Sequence, residues 1–200
     1  MRKTVSLTIM LAISFSIIPS AFAANYWYSS KYRFSGGIGD GIFTNNAVYS
    51  SSLPDGTVYN MAQTADGAMN QWNNDTEAYF APTNSSASAF IWAEGYSMGD
   101  IGLNGWTEFL KTTTSSPTNL PTDNYQKAVV YGNSYDMWDG TPMTYNQRRA
   151  VYTHEIGHAL GLAHQNTSGI ASIMRDGVGF ITNNWLVPQP DDINGVNNLY

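Results

Sequence analysis

His154-Glu155-Ile156-Gly157-His158-Ala159-Leu160-Gly161-Leu162-Ala163-His164 is the stretch on which the reading of this chain turns. It contains all 3 histidines of the protein. His154 and His158 are four apart, so on an α-helix both imidazoles lie on one face, about one turn apart. Glu155 falls beside that face, about 60° from His158 around the helix axis. Gly161 offers the left-handed conformation that ends a helix, and His164 then has the reach to swing back toward the first two. Three nitrogens converging on one point, with one position open and a carboxylate alongside, is the way a catalytic zinc is held. Such a zinc lowers the pKa of its bound water to about 7, and Glu155 is placed to take that proton and pass it to a leaving amine.

Working outward, Thr144 followed by Gln147 forms a capping box for a helix running to about Leu160, with the histidines in its last turns. Upstream, Asn25 to Phe34 is aromatic-rich and reads as a first strand. Breakers follow at Ser35 to Gly41 and at Pro54-Asp55-Gly56. Met61, Ala65, Met69 and Trp72, with Val58 beside them, recur at three and four residues and predict an amphipathic helix from about Val58 to Trp72 with a core-facing stripe. Glu77 to Pro82, Ala87 to Tyr96 and Lys127 to Tyr131 read as strands. Gly99, Gly102 and Gly105 mark a loop or a bulged edge strand. Lys111 to Asp123 reads as an exposed loop, and Asn133 to Pro142 as a turn-rich connection. Asp191 to Tyr200 reads as a short terminal helix with its N-cap at Asp191. Clustered strands with few helices point to an α+β fold, a mixed sheet with helices packed on it.

The chain has 200 residues and no cysteine. Arg2 and Lys3, an apolar run from Leu7 to Ile18 and Ala21-Phe22-Ala23 have the layout of a secretory signal peptide. The expected organisation is therefore 1–23 signal peptide and 24–200 one catalytic domain, secreted and extracellular. Without Arg2 and Lys3 the chain carries 7 basic against 15 acidic residues, a formal charge of −8. That is poor footing for nucleic acid or an anionic membrane and favours solubility. A domain of this size buries roughly 70% of its unfolded surface and has no need of disulfides. The missing thiol also removes a cysteine nucleophile.

With these residues in view, His154-Glu-x-x-His158-x-x-Gly161-x-x-His164 followed by Ser172-Ile173-Met174 resembles the metzincin clan of zinc peptidases. The ending from Pro188 to Tyr200, with Asp191-Asp192-Ile193, resembles the matrixins within that clan. The resemblance implies a twisted mixed sheet, a backing helix, an active-site helix and an irregular C-terminal subdomain ending in a short helix. It implies zinc on His154, His158 and His164, Glu155 as general base and acid, Gly161 at the turn and Met174 in a tight turn beneath the metal. Asp176 stands where the astacin and serralysin branches place an extra tyrosine ligand. Histidines for the second, structural zinc of vertebrate matrixins are missing, as is the cysteine that blocks the zinc in their pro-segments, so one zinc is expected. Calcium is the weaker expectation: Asp40 and Asp100 lie in glycine-bearing loops, but no loop matches a ligand spacing.

The activity so implied is that of a zinc-dependent endopeptidase, a monomer acting on an extended peptide or protein substrate. The substrate is expected to pair along an edge strand near Gly99 to Glu108. Phe180 and Trp185 are candidates for the wall of the specificity pocket, with plain core packing as the alternative. Two rival functions share the metal site: a zinc-fold binding or colonisation protein with little turnover, and a zinc amidase acting on cell-wall amides.

Overall fold

The computed structural model describes residues 24–38, 40–45, 61–138 and 142–200. The expected signal peptide, the Pro54-Asp55-Gly56 breaker and Val58 lie outside them.

Five strands, β1 (Asp40–Asn45), β2 (Tyr79–Pro82), β3 (Ile91–Tyr96), β4 (Gly105–Leu110) and β5 (Lys127–Asn133), form one sheet in the order β2-β1-β3-β5-β4. β1 pairs in parallel with β2 and β3, and β3 with β5; β4 alone runs antiparallel, against β5. A parallel neighbour requires a crossover, and α1 (Met61–Asp75) supplies the one between β1 and β2. The result is the mixed sheet of an α+β fold, with β4 at its edge. β5 is buried at all but one position, as expected of an interior strand.

Two helices cover one face of this sheet. α1 buries Met61, Ala65, Ala68, Met69 and Trp72, the stripe its spacing predicts. It ends three residues later than the sequence indicates, because Trp72 is not a terminus. Its ring is buried and its Nε1 donates to Thr153 O, 2.9 Å away, on α3 (Tyr145–Ala159). α3 packs on α1, β4 and β5. Its N-terminus is the capping box expected: Gln147 N donates to Thr144 Oγ1 and Thr144 N to Gln147 Oε1. Tyr152, buried on α3, donates its hydroxyl to Glu94 O at 2.8 Å and pins the helix to β3. The turn-rich connection after β5 contains a short helix, α2 (Ser134–Trp138), and α4 (Gly179–Thr182) and α5 (Pro190–Asn197) occupy the C-terminal part.

The expected first strand, Asn25 to Phe34, is absent. The segment makes only single bridges, Tyr26 to Leu162 and Phe34 to Tyr125, separated by a turn in which Tyr28 and Lys31 have positive φ. Its aromatic residues serve packing rather than a ladder: the Phe34 ring stands edge-on to Tyr125 and Phe80. The N-cap of α5 also differs. It is Gln189, and Asp192, three residues on, accepts from Gln189 N at 2.8 Å. Asp191 is already helical and takes a hydrogen bond from Gln165 Nε2, 3.0 Å away.

Candidate metal centre and groove

The three histidines meet. Their ligand atoms lie within 4.8 Å of one another, and among the described residues they are the one such group of His, Cys, Asp and Glu side chains. The local chain explains how. α3 ends at Ala159, and Gly161 adopts φ +105°, which only glycine takes without strain. A Cβ there would stand 2.9 Å from both Tyr32 O and Leu199 Cδ1. The chain reverses through this point and delivers His164 to the other two.

The N-terminal segment fastens that reversal. Trp27 N donates to Gly161 O, Ala163 N to Asn25 O, and Asn25 Nδ2 to His164 O. Trp27 Nε1 donates to His158 O at 3.2 Å, and its ring is tilted against the His158 imidazole with centroids 5.1 Å apart.

Hydrogen bonds also set the tautomers. His154 Nδ1 lies 2.8 Å from Ile173 O, and His158 Nδ1 2.8 Å from Leu162 O. A carbonyl oxygen only accepts, so each Nδ1 carries the proton and each Nε2 presents a lone pair. His164 Nδ1 faces Asp176 Oδ1 at 3.6 Å, and its Nε2 stands 3.1 Å from that of His158. Nitrogens brought this close to one another suit a shared proton or a metal ion between them. Burial also favours the neutral ligand form: it holds the His154 imidazole at about 4 and lowers His158 and His164 below the usual histidine value. The donor set therefore fits zinc.

Beneath the histidines lies Met174, 1% exposed. A Cβ on Gly157 would sit 2.4 Å from its sulfur, so the helix carries a glycine where the methionine passes under it. Asp192 on α5 organises this turn. Its carboxylate accepts from Ser172 Oγ and Ile173 N, and Ser172 Oγ in turn accepts from Met174 N. Since Ile173 O holds His154, the C-terminal helix is linked to the metal site through two hydrogen bonds. Burial pushes the Asp192 carboxyl up to about 6, against the three hydrogen bonds it accepts.

Glu155 is 6% exposed and lines a groove of about 300 Å³ together with the three histidines. Its Oε2 lies 2.8 Å from Thr107 Oγ1, which is also 2.9 Å from Glu155 O. Burial pushes its carboxyl up to about 8. The groove runs between Leu103 and β4, with Gly105 and Thr107, on one side and the segment Asp176 to Phe180 on the other. Phe180 is 3% exposed, stacks on the His154 ring at 4.8 Å and lines the groove. Trp185, the other sequence candidate, is not among the lining residues; it packs against the core under the Arg175 guanidinium, 5.4 Å from its ring centroid.

The sequence alone assigns no site role to Thr107, Trp27 or Asp192. Nothing local marks a threonine 48 residues from its glutamate; the adjacent aspartates at the start of the last helix carry a family signal and a capping signal, and neither points to the metal site.

A mixed sheet with one antiparallel edge strand, a helix bearing His-Glu-x-x-His and a third histidine beyond a glycine turn together define the metzincin class of metallopeptidase. Residues 47–200 match the family model of the matrixins, and the chain belongs to that family, whose members bind zinc. The structure described as the GM1 bound form of the ECX AB5 holotoxin contains a chain similar to this one, with a TM-score of 0.52 and 16% identity over 90% of this chain and 86% of that one. At that identity the likeness speaks for the fold alone. No curated protein sequence matches.

Proposed function

We propose that this matrixin is a secreted zinc-dependent endopeptidase that cuts extended peptide substrates in the groove beside β4. The observation that carries the reading is the meeting of His154, His158 and His164 with the Glu155 carboxylate in one open groove.

His154, His158 and His164 would hold the zinc through Nε2. Zinc supplies, when bound, a Lewis acid that makes water nucleophilic near neutral pH and polarises a carbonyl. Glu155 takes the proton of the attacking water and gives it to the leaving amine. Thr107 keeps that carboxylate facing the groove through its 2.8 Å hydrogen bond. Trp27 and Gly161 lock the chain reversal that places His164. Leu103, Val178 and Phe180 give the groove apolar walls. β4, as the sheet edge, offers main-chain groups to an extended chain. Residues 1–23 would direct export and be removed.

The test is a proteome-derived peptide library incubated with the zinc-loaded protein, with and without chelator. Internal cuts that vanish with chelator and in Glu155→Gln are expected, the loss being a thousandfold or more. A protein with zinc at one equivalent that cuts nothing refutes the peptidase. N-terminal sequencing of protein from the culture medium is expected to begin near Ala24.

A further inference from the structure

The outer edge of β4 is not free along its whole length. Phe109 N donates to Thr118 O at 2.8 Å and Thr118 N to Phe109 O at 3.0 Å, an antiparallel bridge made by the loop that follows β4. In an antiparallel ladder, alternate residues direct both main-chain groups to the same edge. If Phe109 faces outward, so do Thr107 and Gly105. Past Thr118 the chain bends at Asn119 and Leu120, with Thr118 Oγ1 donating to Leu120 O at 3.0 Å, and Leu120 is left half exposed at the end of the groove. The slot where a substrate strand would lie is open at Gly105 and Thr107 and already filled at Phe109.

We infer that the Thr118–Leu120 segment closes one end of the substrate groove, so that the enzyme engages at most about three residues on the N-terminal side of the cut bond. The inference rests on the peptidase reading above. Its length follows from the geometry. A Cβ on Gly105 would stand 3.0 Å from Glu155 Cγ, and Thr107 Oγ1 stands 2.8 Å from Glu155 Oε2, so the reacting carboxylate lies between Gly105 and Thr107. From Gly105 to Thr107 is two residues, about 7 Å of strand and the upper limit of the free run on that side, and the next outward position is occupied. β4 pairs antiparallel with both β5 and Thr118. A substrate pairing in the same sense points its N-terminal side at the closed end. Toward Leu103 and Val178 no such plug is present among the described residues.

Two peptide ladders sharing one cleavable core, lengthened residue by residue at the N- or the C-terminus, test this. kcat/KM is measured on the zinc-loaded protein, and affinity on Glu155→Gln by fluorescence anisotropy. On the N-terminal ladder both quantities are expected to change less than twofold beyond the third residue. Thr118→Pro removes the N–H bonded to Phe109 O, and Leu120→Ala opens the end while keeping every main-chain bond. In Thr118→Pro the fourth and fifth residues are expected to add threefold or more, since each main-chain hydrogen bond gained is worth roughly a few-fold; Leu120→Ala, which leaves the Phe109 slot filled, is expected to add less. A wild-type N-terminal ladder that keeps rising, a plateau on the C-terminal ladder instead, or a plateau unmoved in both variants would overturn the proposal. If no peptide is cut at all, the peptidase reading fails, while the anisotropy ladders still decide where the groove ends.

Discussion

Replacing Thr107 with valine isolates the contribution of one hydroxyl to catalysis. Thr107 is 6% exposed on β4, and its Oγ1 is 2.8 Å from Glu155 Oε2 and 2.9 Å from Glu155 O. Valine keeps the branched Cβ that suits the strand and removes only the hydrogen bonds. Glu155 is equally buried, so water does not readily replace the lost donor. In the ionised form that acts as base, the Glu155 carboxylate accepts a charge-assisted hydrogen bond worth roughly 1.5–3 kcal/mol. If the whole of that bond orients the carboxylate for proton transfer, kcat falls by about 10- to 150-fold, at 1.4 kcal/mol per factor of ten. KM is expected to stay within about threefold, because the main chain of β4 is untouched. The assay is steady-state hydrolysis of a fluorogenic peptide at fixed zinc, with thermal unfolding in parallel. Thr107→Ser, which restores the hydroxyl, is expected to recover most of kcat. A valine variant with kcat within twofold of wild type, or a serine variant as slow as valine, would refute the positioning role.

Gly161→Ala forces an L side chain into φ +105° with a Cβ 2.9 Å from Tyr32 O, and is expected to destabilise the fold by about 1–3 kcal/mol and weaken zinc binding, as read by denaturant melts and a zinc titration. Asp192 gives a pH signature. Its carboxyl is raised to about 6 in the folded chain, so its contribution is fully present below about pH 4 and is lost as pH rises through 6. The stability of wild type relative to Asp192→Asn is therefore expected to fall by roughly 3 kcal/mol between pH 4 and pH 7 in denaturant unfolding, with Asp191 as the neighbouring charge that adds to the shift; a flat difference refutes it. Chelating the zinc is expected to abolish hydrolysis and, for metal held at a thousand times its Kd, to remove about 4 kcal/mol, or roughly 10 °C in Tm.

Much of this protein was legible because its information is local. The i, i+4 spacing of His154 and His158, the glycine at 161 and the capping box at Thr144 act within one or two helical turns, where the geometry of an α-helix leaves little choice. The strands around Tyr79, Ile91 and Lys127 and the helix through Met69 and Trp72 followed from periodicity for the same reason. The segment Asn25 to Phe34 shows where that reasoning ends. Its aromatic content suits a strand, yet its partners are single residues 91 to 166 positions away, such as Asn124, Tyr125 and Tyr200, and no local pattern encodes them.

By itself, then, the sequence determined the three-histidine cluster, the glutamate beside it, the helix that carries them and the family they belong to, since short-range spacing suffices for each. Only the tertiary structure decided what holds those groups in place: Thr107 against Glu155, Trp27 against His158, and Asp192 through Ser172 and Ile173 to His154. The same holds for the Thr118 bridge that shuts one end of the groove. These contacts join elements distant along the chain, and their directions are set by how β4, α3 and α5 pack, which hydrogen-bonding residues do not announce in their own neighbourhood.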